Sequence, residues 1–140
     1  MDPMVMAAGT ALVGAMATDT WGQIREATVA LWRRVSPERA VAVGAELEEF
    51  RSQVLQARRE GDAHTEDALI SACRLSLHQL LRQDPALYAE FRQLFERHLV
   101  PALSEGERTT VQSIVQNATV SGGVSIQAGR DVRGPLPPPP

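Results

Sequence analysis

Three histidines, His64, His78 and His98, and one cysteine, Cys73, are the side chains best suited to proton transfer, nucleophilic attack or metal binding. Their spacing supports none of these. The histidines fall on different predicted segments, without an acid–histidine or cysteine–histidine pairing, and Cys73 has no second cysteine to share a metal with. A phosphate-binding glycine loop and a nucleophile elbow are both missing. Cys73 lies on an apolar stripe, where a free cysteine packs as a small hydrophobe. His98 also falls on an apolar face near a helix end. Glu46-Glu48-Glu49 and Arg33-Arg34 read as solvated faces, and Arg58-Arg59 complements a helix C-terminus. The sequence predicts a protein that is not an enzyme and needs no cofactor.

The chemistry these residues do favour is backbone pairing. From Thr109 through Gly129 there is no charged residue and no proline, in a chain that is 22% charged. Apolar side chains take the even positions Ile114, Ala118, Val120, Val124, Ile126, Ala128 and Val132. Polar ones mostly fill the odd positions, and Val115 is out of step. A period of two predicts strand, and Gly122-Gly123 supplies a turn. Gln116, Asn117 and Gln127 can ladder through their amides. High β-propensity with little charge and no proline is the composition of a cross-β segment. Three readings are open for 109–133: a hairpin folded back on the rest, a disordered tail, or a stack of identical segments. A lone hairpin is marginal in water. The stack, with Ile114, Val120, Val124 and Ile126 in a dry zipper, fits the composition best.

The remainder must be helical. A chain of 140 residues with a net charge of −3 holds one small domain plus an appendage. All 14 basic residues are arginine and no face is basic, so nucleic acid is not an expected partner. The lone cysteine points to a reducing cytoplasm. Trp21, Ile24, Thr28, Leu31, Trp32 and Val35 repeat at helical spacing behind a cap at Thr18 or Asp19. Ser36-Pro37-Glu38 opens a helix carrying Val43, Leu47, Phe50, Val54 and Ala57, and Gly61 ends it. Asp62 or Thr65 opens the next, with Leu69, Cys73, Leu77 and Leu80. Asp84-Pro85 opens the last, with Leu87, Phe91, Leu94 and Phe95, bounded by Pro101. Short connections predict an all-α, antiparallel bundle of four or at most five helices. Trp21, Ile24, Leu31, Leu47, Phe50, Leu69, Leu80, Phe91 and Leu94 are its expected core. The predicted divisions are a bundle over 1–103, a linker over 104–110, the β-forming segment over 111–133 and a polyproline tail over 134–140. Ser104 and Glu107 also have the spacing of a capping box.

Met4–Ala17 is an apolar run with no charged residue and Thr10 as its one polar side chain. At about 21 Å as a helix it is short of the roughly 30 Å hydrocarbon layer, and Asp2 stands where a signal peptide carries basic residues. A buried core helix and a conditional membrane or oligomer helix are both open, with Met4, Val5, Ala7, Ala11, Leu12, Gly14 and Ala15 presented. Ala7, Ala11 and Ala15 form one row of small residues, and Thr10, Gly14 and Thr18 another. Both permit close helix approach.

Ile126-Gln127-Ala128-Gly129 resembles the core of the RIP homotypic interaction motif, with Ala128 where a larger aliphatic is usual. Asn117–Gly129 as a whole resembles the bacterial amyloid signalling motifs of Gln-Ala-Gly type. Arg130-Asp131 follows the core directly and leaves the place of Val132 open. The resemblance implies a small helical effector of the Bell, or HeLo-like, kind in bacterial immunity or regulated cell death. Its implied partners are further copies of itself, a nucleotide-binding NLR-like receptor with a matching motif, and membrane lipid contacted by the first helix. The protein would then be cytoplasmic, becoming membrane-associated on activation. The all-arginine composition looks actinobacterial.

Overall fold

The computed structural model describes the backbone of residues 2–123, with side chains through Gln116, and the fold is all-α. No strand occurs among the described residues. Helix α1 spans Pro3–Ala15, α2 Trp21–Val35, α3 Pro37–Glu60 and α4 Ala63–Gln83. A 3-10 turn at Pro85–Leu87 leads into α5, which comprises Tyr88–Leu94, a π-turn over Phe95–Leu99 and a closing turn over Val100–Ala102. Helix α6 spans Glu105–Gly123, so the described residues form six helices where the sequence predicts four or at most five.

The punctuation is local. Asp2 caps α1 by accepting from the Met4 N–H at 2.7 Å, with Pro3 in the first turn. The Ser36 hydroxyl accepts from the Arg39 N–H and Pro37 opens α3. Gly61 closes α3 at φ 68°, a left-handed conformation that glycine adopts without strain. Asp62 then accepts from both the N–H and the hydroxyl of Thr65, and these two bonds hold its carboxyl below the usual range. Asp84 accepts from the Ala86 N–H at the start of the 3-10 turn. At the first connection, α1 ends before Met16, and Thr20 stands at the N-cap of α2 without a side-chain bond.

Helix α1 is the centre of the bundle. It packs most extensively on α4 and α6, and also meets the π-turn, while α3 joins α2 to α4. Nine of its 13 residues are buried, among them Val5, Ala7, Ala11, Leu12, Gly14 and Ala15; Met4 is half-buried. Small residues explain this, Gly9 among them although it lies in neither predicted row. A Cβ on Gly9 would lie 2.3 Å from Cγ of Arg74, so α4 comes down onto the helix there. The Arg74 guanidinium donates to the Met6 carbonyl at 2.9 Å and to the Thr10 hydroxyl at 3.0 Å. Arg51 of α3 donates to the Met16 carbonyl at 3.1 Å. A helix with no charged residue of its own is thus held by arginines from its neighbours.

Trp21, Ile24, Leu31, Leu47, Leu69, Leu80, Phe91 and Leu94 are buried. Phe50 is a correction: it is half-buried at the margin of the core. His98 is another. The Val100 N–H bonds to the Phe95 carbonyl, five residues back, and this widened turn shifts the apolar row from 98 to Leu99, leaving His98 exposed. Pro101 has no N–H for the Arg97 carbonyl and its ring crowds that carbonyl, which the wider turn relieves.

Candidate functional site

Thr109, Thr110, Val111, Ile114 and Val115 are poor helix formers, yet all lie in α6. The Thr109 and Thr110 hydroxyls bond back to the carbonyls of Glu105 and Gly106, a habit that weakens helices. Tertiary packing decides the conformation instead. Val111 is fully buried, and Ile114 and Val115 are half-buried against the core. Val111, Ile114 and Val115 are spaced i, i+3, i+4, so Val115, the residue out of step with the strand pattern, is in step with the helix.

Two expectations are corrected here. Residues 105–110 are the opening turns of α6, not a linker. The strand and turn expected over 111–123, including Ile114, Gln116, Asn117, Val120, Gly122 and Gly123, is helical backbone. The physical reason is the bonding at Ser104 and Glu107, which starts a helix, together with the apolar seat on α1, which holds it. The Ser104 hydroxyl accepts from the Glu107 N–H at 3.3 Å, while Glu107 Oε1 accepts from the Ser104 hydroxyl at 3.1 Å. Arg108 ties the same turn to the carbonyls of Val100 and Leu103. Val124, Ile126, Gln127, Ala128 and Gly129 lie outside the described residues.

The seat on α1 is made by Gly14. A Cβ at that position would fall 2.9 Å from Cδ2 of Leu103 and 3.1 Å from Oε2 of Glu107. Glu107 Oε2 also accepts from Arg58 at 2.9 Å, and Arg58 bonds Glu66 through its Nε at 3.1 Å. Partial burial alone would push the Arg58 guanidinium down. The bonds and charges of Glu66 and Glu107 outweigh it and hold the group above its ordinary value. Arg58 therefore joins α3, α4 and α6, a role that its position near a helix end does not reveal. Its partners are distant in sequence, and no local spacing signals the contact. A chain ending at residue 105 would lose both Val111 and Glu107 and leave one side of α1 uncovered.

Of the candidate chemical residues, His64, Cys73 and His78 share α4, which corrects the expectation that the histidines lie on different segments, and His98 lies in the π-turn. Cys73 is buried against the core, and burial, followed by the negative charge of Glu46, pushes its thiol up to about 12. At neutral pH it is a protonated core side chain. No group of three metal-ligating side chains occurs among the described residues. Nor is any helix among them long and apolar enough to cross a membrane. No protein-family model matches this chain, and no curated protein or solved structure matches it either.

Proposed function

We propose that this chain is a non-enzymatic effector of a bacterial immune or regulated cell-death pathway, activated by templated assembly of its C-terminal segment. The antiparallel bundle is the resting form, and residues 111–133 are the amyloid signalling segment. The observation that carries this reading is the conflict within α6. Residues 111–123 carry many strand-favouring residues on a helical backbone, and Val111, Ile114 and Val115 pack against the core, so local preference and tertiary packing oppose each other. Stacking 111–133 in register with a template would satisfy the local preference and remove the cover from α1 in one step. The template is an NLR-like receptor with a matching motif, or an assembled copy of the chain itself. Helix α1 is about 20 Å long, so its action at a membrane would require several copies held together by the assembly.

The depth at which α1 is buried favours a second reading, a helical adaptor whose C-terminal segment adds a strand to a partner while α1 stays in place. The peptide 109–133 tests what the two readings do not share. The effector requires fibrils that bind thioflavin and diffract at the strand and sheet spacings, about 4.7 and 10 Å. Ile126→Asp should abolish them by burying an unpaired charge at every level of the stack. A peptide that remains monomeric at high concentration leaves only the adaptor.

A further inference from the structure

Glu107 stands where three constraints on α6 meet. Its Oε1 completes the capping box with Ser104, so the first turn of the helix depends on it. Its Oε2 bonds Arg58, which is itself bidentate on Glu66, with Nε to Oε1 at 3.1 Å and Nη2 to Oε2 at 3.3 Å. The bare backbone of Gly14 lets the carboxylate approach α1. A cavity of about 190 Å³ lies beside these groups, lined by Thr10, Gly14, Arg58, Glu66, Glu107 and Val111 among others. Farther along α6 the anchoring thins, from fully buried Val111 to half-buried Ile114 and Val115. The first turn is the costly step in forming any helix. A segment rich in β-branched residues would not readily re-form that turn once it is lost.

We propose that the Arg58–Glu107 bond is the latch of the C-terminal helix: it docks the first turn of α6 on the bundle, and its release frees residues 105–123 for assembly. This rests on the assembly reading above. The latch is a surface contact, with both side chains 34% exposed, so it is a weak element placed where a small change has leverage.

The test uses the full chain with Glu107→Gln, which keeps a capping-box acceptor but removes the charge partner of Arg58. Hydrogen exchange in the soluble protein should show the amides of 108–115 exchanging about fivefold faster, with those of α2 and α3 unchanged. Growth of the same variant on preformed 109–133 fibrils should accelerate about fivefold. Arg58→Met should reproduce both effects, and the double variant should add little to either single one. Unchanged exchange over 108–115 would overturn the latch whether or not fibrils form, and so would fully additive effects. Faster exchange without faster growth, while peptide 109–133 itself forms fibrils, would overturn its role in assembly. A peptide that forms no fibrils would sink the assembly reading separately, since it does not contain Glu107.

Discussion

Leu12→Lys is expected to unfold the domain. Leu12 is 2% exposed, in a helix packed on α4, α6 and the π-turn. A lysine there would bring its charge into the hydrophobic core, and the effective penalty for burying such a charge is several kcal/mol. Domains of this size are stable by about 5–15 kcal/mol in total, so most of the native population would be lost. Circular dichroism and a thermal melt would show it directly. Val41→Lys is the matched control. Val41 is 76% exposed on α3, and the same change there should stay within about 0.5 kcal/mol of the wild type. A Leu12→Lys protein that melts like the wild type would mean that α1 is not a core element in solution. Unfolding also means that this substitution cannot isolate a membrane step, because the soluble domain fails first.

The second large effect is expected at Phe91. It is fully buried, with its ring centroid 6.0 Å from that of half-buried Tyr88, and it lies where α5 joins the core. Phe91→Ala removes a ring and leaves a cavity that fixed helices cannot fill. The cost should be about 3–5 kcal/mol, which lowers the melting temperature by roughly 10–20 °C. Phe50→Ala makes the contrast, because half-buried Phe50 can be replaced in part by solvent, and about 1–2 kcal/mol is expected. Chemical denaturation of the two variants side by side checks the order. Equal losses at the two positions would contradict the placement of Phe50 at the margin.

Much of the helical frame was legible because its boundaries are set by residues within a few positions of each other. Ser36-Pro37, Gly61, Asp62 with Thr65, and Asp84-Pro85 each act through a short-range bond or a backbone restriction, and each stands where the sequence places it. Two features were not legible in this way. The π-turn at Phe95–Leu99 shifts the helical phase by one residue, so a pattern assuming regular helix assigns the inward face to His98 when Leu99 occupies it. Helix α6 has the side chains of a strand over 111–123. Its seat on α1, with Val111 buried and Glu107 bonded to Arg58, holds it helical, and both contacts join parts of the chain far apart in sequence. The capping box of Ser104 and Glu107 and the i, i+3, i+4 spacing of Val111, Ile114 and Val115 are the local signs of a helix there. The alternation of apolar and polar residues from 118 to 132 favours a strand, although the backbone is helical as far as Gly123. That one continuous segment begins with helical spacing and continues with strand alternation is the property on which the proposed switching depends.

Hydrogen exchange of the full chain, before and after seeding with 109–133 fibrils, tests the proposed coupling of assembly to the release of α1 most directly. In the soluble form, α1 should be among the best-protected segments, as expected of a helix at the centre of the core. After seeding, amides of 111–133 should become strongly protected in the fibril while those of Val5–Ala15 lose protection. Fibrils that grow to completion with α1 as protected as before would contradict the coupling and leave the C-terminal segment as a tether on an intact domain.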